Sequence, residues 1–189
     1  VATVGTGNTA VGSTAMDALT TGTNNTAVGL DALGGVTTGI DNTAVGMDAL
    51  KAMTVGTGNV AVGKACLDVL TTGTNNTGVG FGALGAATTA VNNVAVGKDA
   101  LLVLTVGTGN VAVGNTAANA LTTGNDNVAV GLDALGAATT AIDNVAIGKD
   151  ALLAMTVGIN NVAVGKGAAA VLTTGNDNVA IGVDALDAA

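Results

Sequence analysis

The chain has 189 residues, 49% of them hydrophobic, yet one Phe is its only aromatic residue and it contains no Pro, Trp, Tyr, His, Arg or Glu. Its net charge of −8 argues against nucleic acid as a partner, because phosphates require a basic surface. Gly, Thr, Asn or Asp interrupts every apolar run before the roughly 18 residues that a membrane span needs. The apolar residues are mostly Ala and Val, so we expect a thin, regularly stacked core rather than a thick globular one.

A repeat of 17 residues without insertions runs through the whole chain. If its Asn is position 1, position 4 is always Val or Ile, position 5 always Gly and position 13 always Thr. Such a short period predicts one solenoid coil per unit, because each coil can bury its apolar side only against its neighbours. We therefore interpret residues 1–189 as one uncapped solenoid segment, a parallel β-solenoid or β-roll of about eleven coils, which start at Asn8, Asn25, Asn42, Asn59, Asn76, Asn93, Asn110, Asn127, Asn144, Asn161 and Asn178.

Positions 1–5 of each unit predict a short strand, since β-branched residues alternate there and the run stops at Gly. We expect position 4 (Val11, Val28, Val45 and Val62, for example) to point inward beside position 2, and position 3 to point outward. Position 3 is Ala in ten coils and Gly78 in the other. An outward strip of methyl groups predicts close approach by another chain, through Ala10, Ala27, Ala44, Ala61, Ala95, Ala112, Ala129, Ala146, Ala163 and Ala180.

Positions 6–12, such as the segment 98–104, carry apolar residues at positions 8, 9 and 12. This spacing favours a short helical or 3₁₀ turn, and the Asp common at position 7 suits the first turn of a helix. A second strand is the competing interpretation.

Positions 13–17 predict the turn that closes the coil, with Gly, Asn and Asp available for positive φ. The stacked Asn residues at position 1 predict an amide ladder along the axis. Several features also recur every 51 residues, such as Val55, Val106 and Val157, so three coils form a larger unit. Tandem duplication of a three-coil block and a partner contact repeating every three coils both account for this.

The unit Asn-(Ser/Thr/Val)-Ala-(Val/Ile)-Gly-x-x-Ala, followed by a return containing Gly and Asn, resembles the head repeats of trimeric autotransporter adhesins and related repeats in phage tail fibres. The resemblance covers the whole chain. It implies a parallel β-roll in which three chains pack side by side through small residues, in a surface fibre that binds host matrix or other cells.

Catalytic chemistry is disfavoured, because without His the Ser-His-Asp and Cys-His arrangements cannot be built. Cys66 occupies position 8, where the other ten coils have Ala, so we expect a small core residue. The segment 58–65 is similar to a phosphate-binding loop, but it has Ala65 where that motif needs Ser or Thr. We predict neither an enzyme nor a bound cofactor.

Metal binding is a weaker possibility at stacked carboxylates. Asp126 with Asp143, and Asp133 with Asp150, lie one coil apart, and a cation such as calcium would relieve their repulsion. Solvated turns are the simpler explanation. Asn24 and Asn75 begin Asn-Asn-Thr glycosylation sequons, although both arise from the ordinary turn.

The sequence thus favours a structural or adhesive, non-catalytic segment of an extracellular or cell-surface fibre that associates with itself, as a homotrimer or an end-to-end filament, with a host or matrix ligand. Ice binding is one alternative, since positions 14 and 16 share a face and are both Thr in two coils, at Thr21 with Thr23 and at Thr72 with Thr74. A calcium-stabilised surface-layer or matrix protein is another.

Overall fold

A computed structural model describes residues 5–187, which form a parallel β-solenoid with 17 residues in each coil. Each strand pairs with the strand of the next coil in strict register, so that Ala44 lies beside Ala61. The predicted solenoid and its period are confirmed. Among the described residues there is no helix, and hence none long and apolar enough to cross a membrane.

The main sheet has eleven strands of three residues each, formed by positions 2–4 of the repeat. The chain order of all strands is β1 Thr9–Val11, β2 Thr26–Val28, β3 Thr43–Val45, β4 Val60–Val62, β5 Thr77–Val79, β6 Val94–Val96, β7 Val111–Val113, β8 Val128–Val130, β9 Val145–Ile147, β10 Val157–Ile159, β11 Val162–Val164, β12 Thr174–Asn176 and β13 Val179–Ile181. Strands β10 and β12 pair separately and belong to positions 14–16. In earlier coils the same segment makes parallel bridges at position 16, for example from Thr57 to Thr74.

The helical turn predicted for positions 6–12 is wrong, and so is the competing strand. The backbone instead has positive φ at positions 7 and 9, as at Asp99 (56°) and Leu101 (50°). The N–H of Leu101 donates to the carbonyl of Ala117 in the next coil at 3.0 Å. Because many of the backbone bonds of this segment run between coils, they stabilise the stack and no i to i−4 ladder forms.

The core holds positions 3, 8, 9 and 12, with the Asn of position 1 and the small residue of position 15. The predicted orientation of the strand was wrong: the Ala at position 3 points inward and Val or Ile at position 4 points outward. From Ala27 to Ala180 each position-3 Ala is at most 4% exposed, and only Ala10, in the first coil, is exposed. These alanines therefore line the interior and are not the expected chain-chain strip.

The physical reason is the thinness of the coil, since positions 3 and 8 face each other across it. Coil five is informative because it combines Gly78 at position 3 with Cys66 at position 8 of the coil before. A Cβ added to Gly78 would lie 2.5 Å from Cys66 Sγ, whereas its next neighbours would be at 3.4 Å and 3.6 Å. The gap therefore accommodates Ala opposite Ala or Gly opposite Cys, and has no room for Val.

Candidate functional surfaces

The charged residues are confined to a few positions of the coil. Every Asp and Lys occupies position 6, 7, 10 or 17. The segments 2–4 and 13–16 therefore carry no charge in any coil, and two uncharged faces run the length of the solenoid.

The first of these is the strand face, which we define as the outward side chains at positions 2 and 4. Position 4 is Val or Ile throughout, and position 2 is Val except at Thr9, Thr26, Thr43 and Thr77. Val28, Val62 and Val113 are 36–37% exposed although each is flanked by neighbouring coils. The strand face is thus a regular, solvent-exposed apolar surface, which sequence reasoning had placed inside the coil.

The second is the threonine face, the outward side chains at positions 14 and 16. It combines hydroxyl and methyl groups: its residues are Thr in eleven positions, Val in four, Ile in three and Asn in two across the ten coils from residue 21 to residue 176. The valines at position 14, such as Val55 and Val106, are each 48% exposed. Between the two columns near β10 and β12 lies a shallow trough of about 320 Å³, with Gly158 and Gly175 in its lining.

The invariant Thr at position 13 has a different role, which sequence reasoning missed. From Thr20 to Thr156 each hydroxyl donates to the carbonyl oxygen of the corresponding Thr in the next coil, at 2.9–3.2 Å. These hydroxyls stabilise the stack and are unavailable to a ligand. The invariance of position 13 was the signal that could have revealed this.

The stacked Asn residues form the amide ladder expected from the repeat. Asn93 Oδ1 accepts bonds from the backbone N–H (2.9 Å) and the Nδ2 (3.0 Å) of Asn110 in the next coil. Its own Nδ2 donates to Asn76 Oδ1 (3.1 Å) and closes its coil on the Gly107 carbonyl (2.8 Å). The amides from Asn25 to Asn161 are at most 1% exposed, and among the described residues no buried side-chain polar atom lacks a partner. The ladder is therefore structural and offers nothing to a ligand.

The four Asp residues considered for metal binding do not assemble a site. Asp126 and Asp143 occupy exposed corners at position 17. Asp133 accepts a bond from the Thr116 hydroxyl, and Asp150 pairs with Lys149 at 3.2 Å. Within residues 5–187 no three acidic or thiol groups lie close enough together to hold a metal ion.

The remaining charges form local pairs on the segment of positions 6–12. Lys51 Nζ lies 3.1 Å from Asp31 and 2.9 Å from Asp48. The Thr14 hydroxyl and then Lys51 lower the pKa of Asp31, and the two carboxylates raise the pKa of Lys51. The ammonium of Lys98, which also contacts Asp99, lies 5.9 Å from the ring centre of Phe81. Since these groups are exposed, they contribute little to folding stability and keep this edge of the coil polar.

Two further sequence features receive structural roles. The segment 58–65 contains strand β4, and the glycine that ends the strand is not followed by the helix that a phosphate-binding loop requires. Cys66 is fully buried, and this burial raises the pKa of its thiol to about 12. The asparagines of the two sequons, Asn24 and Asn75, are exposed at position 17.

Comparison of the chain with protein-family models, with curated proteins and with solved structures finds no match.

Proposed function

We propose that this chain is a non-catalytic structural segment of an extracellular fibre that associates sideways with copies of itself through the strand face. The observation that carries the proposal is the uninterrupted outward column of Val and Ile at position 4. An isolated solenoid in water would leave this column exposed over its whole length, and contiguous apolar surface of that kind is typical of protein interfaces.

The size of the strand face is sufficient for a stable contact. Eleven strands at about 4.8 Å spacing and three residues at about 3.3 Å each make a surface of about 50 Å by 10 Å. Two such faces would bury about 1,000 Å² in total, which is the lower limit for a specific interface. Because the area grows with each coil, association should strengthen with the length of the repeat array.

The shape and chemistry of the face also suit another copy of the same chain. The short strands stack in strict register, so the side chains of positions 2 and 4 form straight rows that can interdigitate with identical rows. The charges at positions 6, 7, 10 and 17 lie outside these rows, where they keep the assembly soluble without being buried. Side-by-side packing also agrees with the resemblance to adhesin head repeats, but the contact would use Val and Ile rather than the buried Ala.

Substitution of two adjacent valines by lysine tests this proposal. The double variant Val62→Lys, Val79→Lys places two like charges in the middle of the strand face, and we expect it to be monomeric. The matched control Thr72→Lys, Thr89→Lys adds the same charges at exposed positions of the threonine face and should keep the parental mass. Analytical ultracentrifugation or light scattering of all three proteins gives the result.

A monomeric parent chain would refute the proposed self-association. Equal dissociation by both pairs of lysines would refute the assignment to the strand face. The measured mass of the parent also decides whether the assembly is a trimer, as the resemblance implies, or a higher polymer.

A further inference from the structure

The hydroxyl groups of the threonine face differ from those of position 13 in one respect. Among residues 5–187, the position-14 threonines and most of those at position 16 make no hydrogen bond to the protein, whereas the hydroxyls of position 13 donate to backbone carbonyls. The exception is Thr108, whose hydroxyl donates to Asn125 Oδ1 at 3.0 Å. The threonine face thus presents a row of hydroxyl groups that are free to bond water.

The positions of these groups are set by the backbone. Bridges at position 16 hold Thr57, Thr74 and Val91 in register along the axis, so equivalent side chains repeat at about 4.8 Å. Positions 14 and 16 of one coil are separated by about 6.6 Å, the length of two extended residues. The face is therefore a rigid two-dimensional array in which the spacing along the axis is close to that between second-neighbour water oxygens in ice.

We propose that the threonine face binds ice. Rows of methyl groups order the water next to them and the adjacent hydroxyls anchor it, so the face can hold a layer of water that merges with a crystal. The trough between the columns, bounded by Thr140, Val157 and Thr174 on one side, provides room for one row of that layer. Because the solenoid is already ordered, little conformational entropy is lost on binding.

The chemistry of the face selects this ligand over others. It carries no charge, which matches an uncharged crystal and gives no counter-charge to phosphate, carboxylate or metal ligands. A polysaccharide surface is usually recognised through stacked aromatic rings, and the chain has no Trp or Tyr. The strand face is less suited to water, because its Val and Ile side chains lack hydroxyl groups. The array is most regular from Thr21 to Thr108, where every coil has at least one Thr and no Asn.

The experiment uses the full 189-residue chain and ice as the probe. We expect micromolar protein to shape growing ice crystals, to produce thermal hysteresis and to inhibit recrystallisation. The double variant Thr72→Lys, Thr89→Lys should lose these activities, because two long charged side chains lift the face from the crystal. The control Val62→Lys, Val79→Lys should retain them, even when it no longer associates with itself.

A parent chain that neither shapes ice nor produces hysteresis would overturn the inference. So would equal loss of activity in both lysine pairs while circular dichroism shows that both remain folded. If the threonine-face lysines prevent folding, the pair Thr72→Val, Thr74→Val removes two hydroxyls at nearly constant volume. That pair is expected to weaken hysteresis, and unchanged hysteresis would contradict a role for the hydroxyls. Because self-association is measured separately by mass, failure of one proposal leaves the other open to its own test.

Discussion

The contact between Gly78 and Cys66 allows a quantitative test of how the interior of this solenoid is packed. In nine of the ten other coils that have residues at both positions, the gap between positions 3 and 8 is spanned by alanines. Here the larger sulfur lies opposite the only Gly at position 3. Replacing Gly78 with Ala would place its Cβ 2.5 Å from Sγ, a distance that forces the sulfur or the backbone to move.

The expected magnitude follows from the distances. Overpacking of this kind costs about 1–3 kcal/mol, and the smaller entropy of the unfolded chain after Gly→Ala offsets about 0.4–1 kcal/mol of that. The variant Gly78→Ala should therefore be destabilised. The double variant Gly78→Ala, Cys66→Ala restores the Ala pair of the other coils, and its closest remaining contacts at 3.4 Å and 3.6 Å are tolerable. The two substitutions should show a favourable coupling free energy of about 1–3 kcal/mol.

Urea unfolding of the parent, both single variants and the double variant, followed by circular dichroism, measures this coupling. The single variant Cys66→Ala is the necessary control, since it loses the buried sulfur without relieving any clash. If Gly78→Ala has the same effect with and without the sulfur, positions 3 and 8 do not limit each other, and the explanation for the inward Ala would be wrong.

Four further predictions follow from the same structure. The variant Asn93→Ala removes the partners of the buried Asn110 N–H and Gly107 C=O, so it should cost roughly 2–6 kcal/mol and speed hydrogen exchange at Asn110; an exchange rate equal to that of the parent would contradict the ladder. The Cys66 thiol should not react with iodoacetamide at pH 8 in the folded protein, because it is buried and its pKa is raised to about 12, but it should react in urea. Burial, and then the charge of Asp48, raise the pKa of Asp68 above its usual 3.8, so its contribution to stability is present at acid pH and lost as pH rises; Asp68→Asn should stabilise the chain at pH 7 by less than about 1 kcal/mol, with no gain at pH 3. Gly63→Ala should cost at least about 2 kcal/mol in thermal unfolding, because its φ is 137° and a Cβ would lie 2.5 Å from the carbonyl oxygen of the next repeat's glycine; a variant as stable as the parent would refute this.

Much of the architecture could be predicted because the repeat has no insertions. A constant period of 17 residues places equivalent residues beside each other, so the parallel register, the stacked Asn side chains and the closing turns followed from the spacing alone. The asparagine at position 1 was recognisable because a buried amide needs both a donor and an acceptor, and an identical amide one coil away supplies them.

The segment of positions 6–12 could not be predicted in this way. Its apolar spacing matches a helix, but Leu101 and its equivalents adopt positive φ, which single-residue preferences disfavour for Leu. The bonds that the segment makes with the preceding and following coils outweigh this cost. Local propensity therefore pointed to a helix because it contains no information about bonds between coils.

The composition at the start, rich in Ala and Val and nearly free of aromatic and catalytic side chains, was enough to determine a thin repetitive solenoid and the positions that stack. It did not determine which side of the strand faces inward, because Ala at position 3 and Val at position 4 are both apolar and alternation alone is symmetric. Only the tertiary structure decided this, since the distance to position 8 across the coil admits Ala and excludes Val. That same distance moved the Val and Ile columns to the outside, and with them the surface available to another molecule.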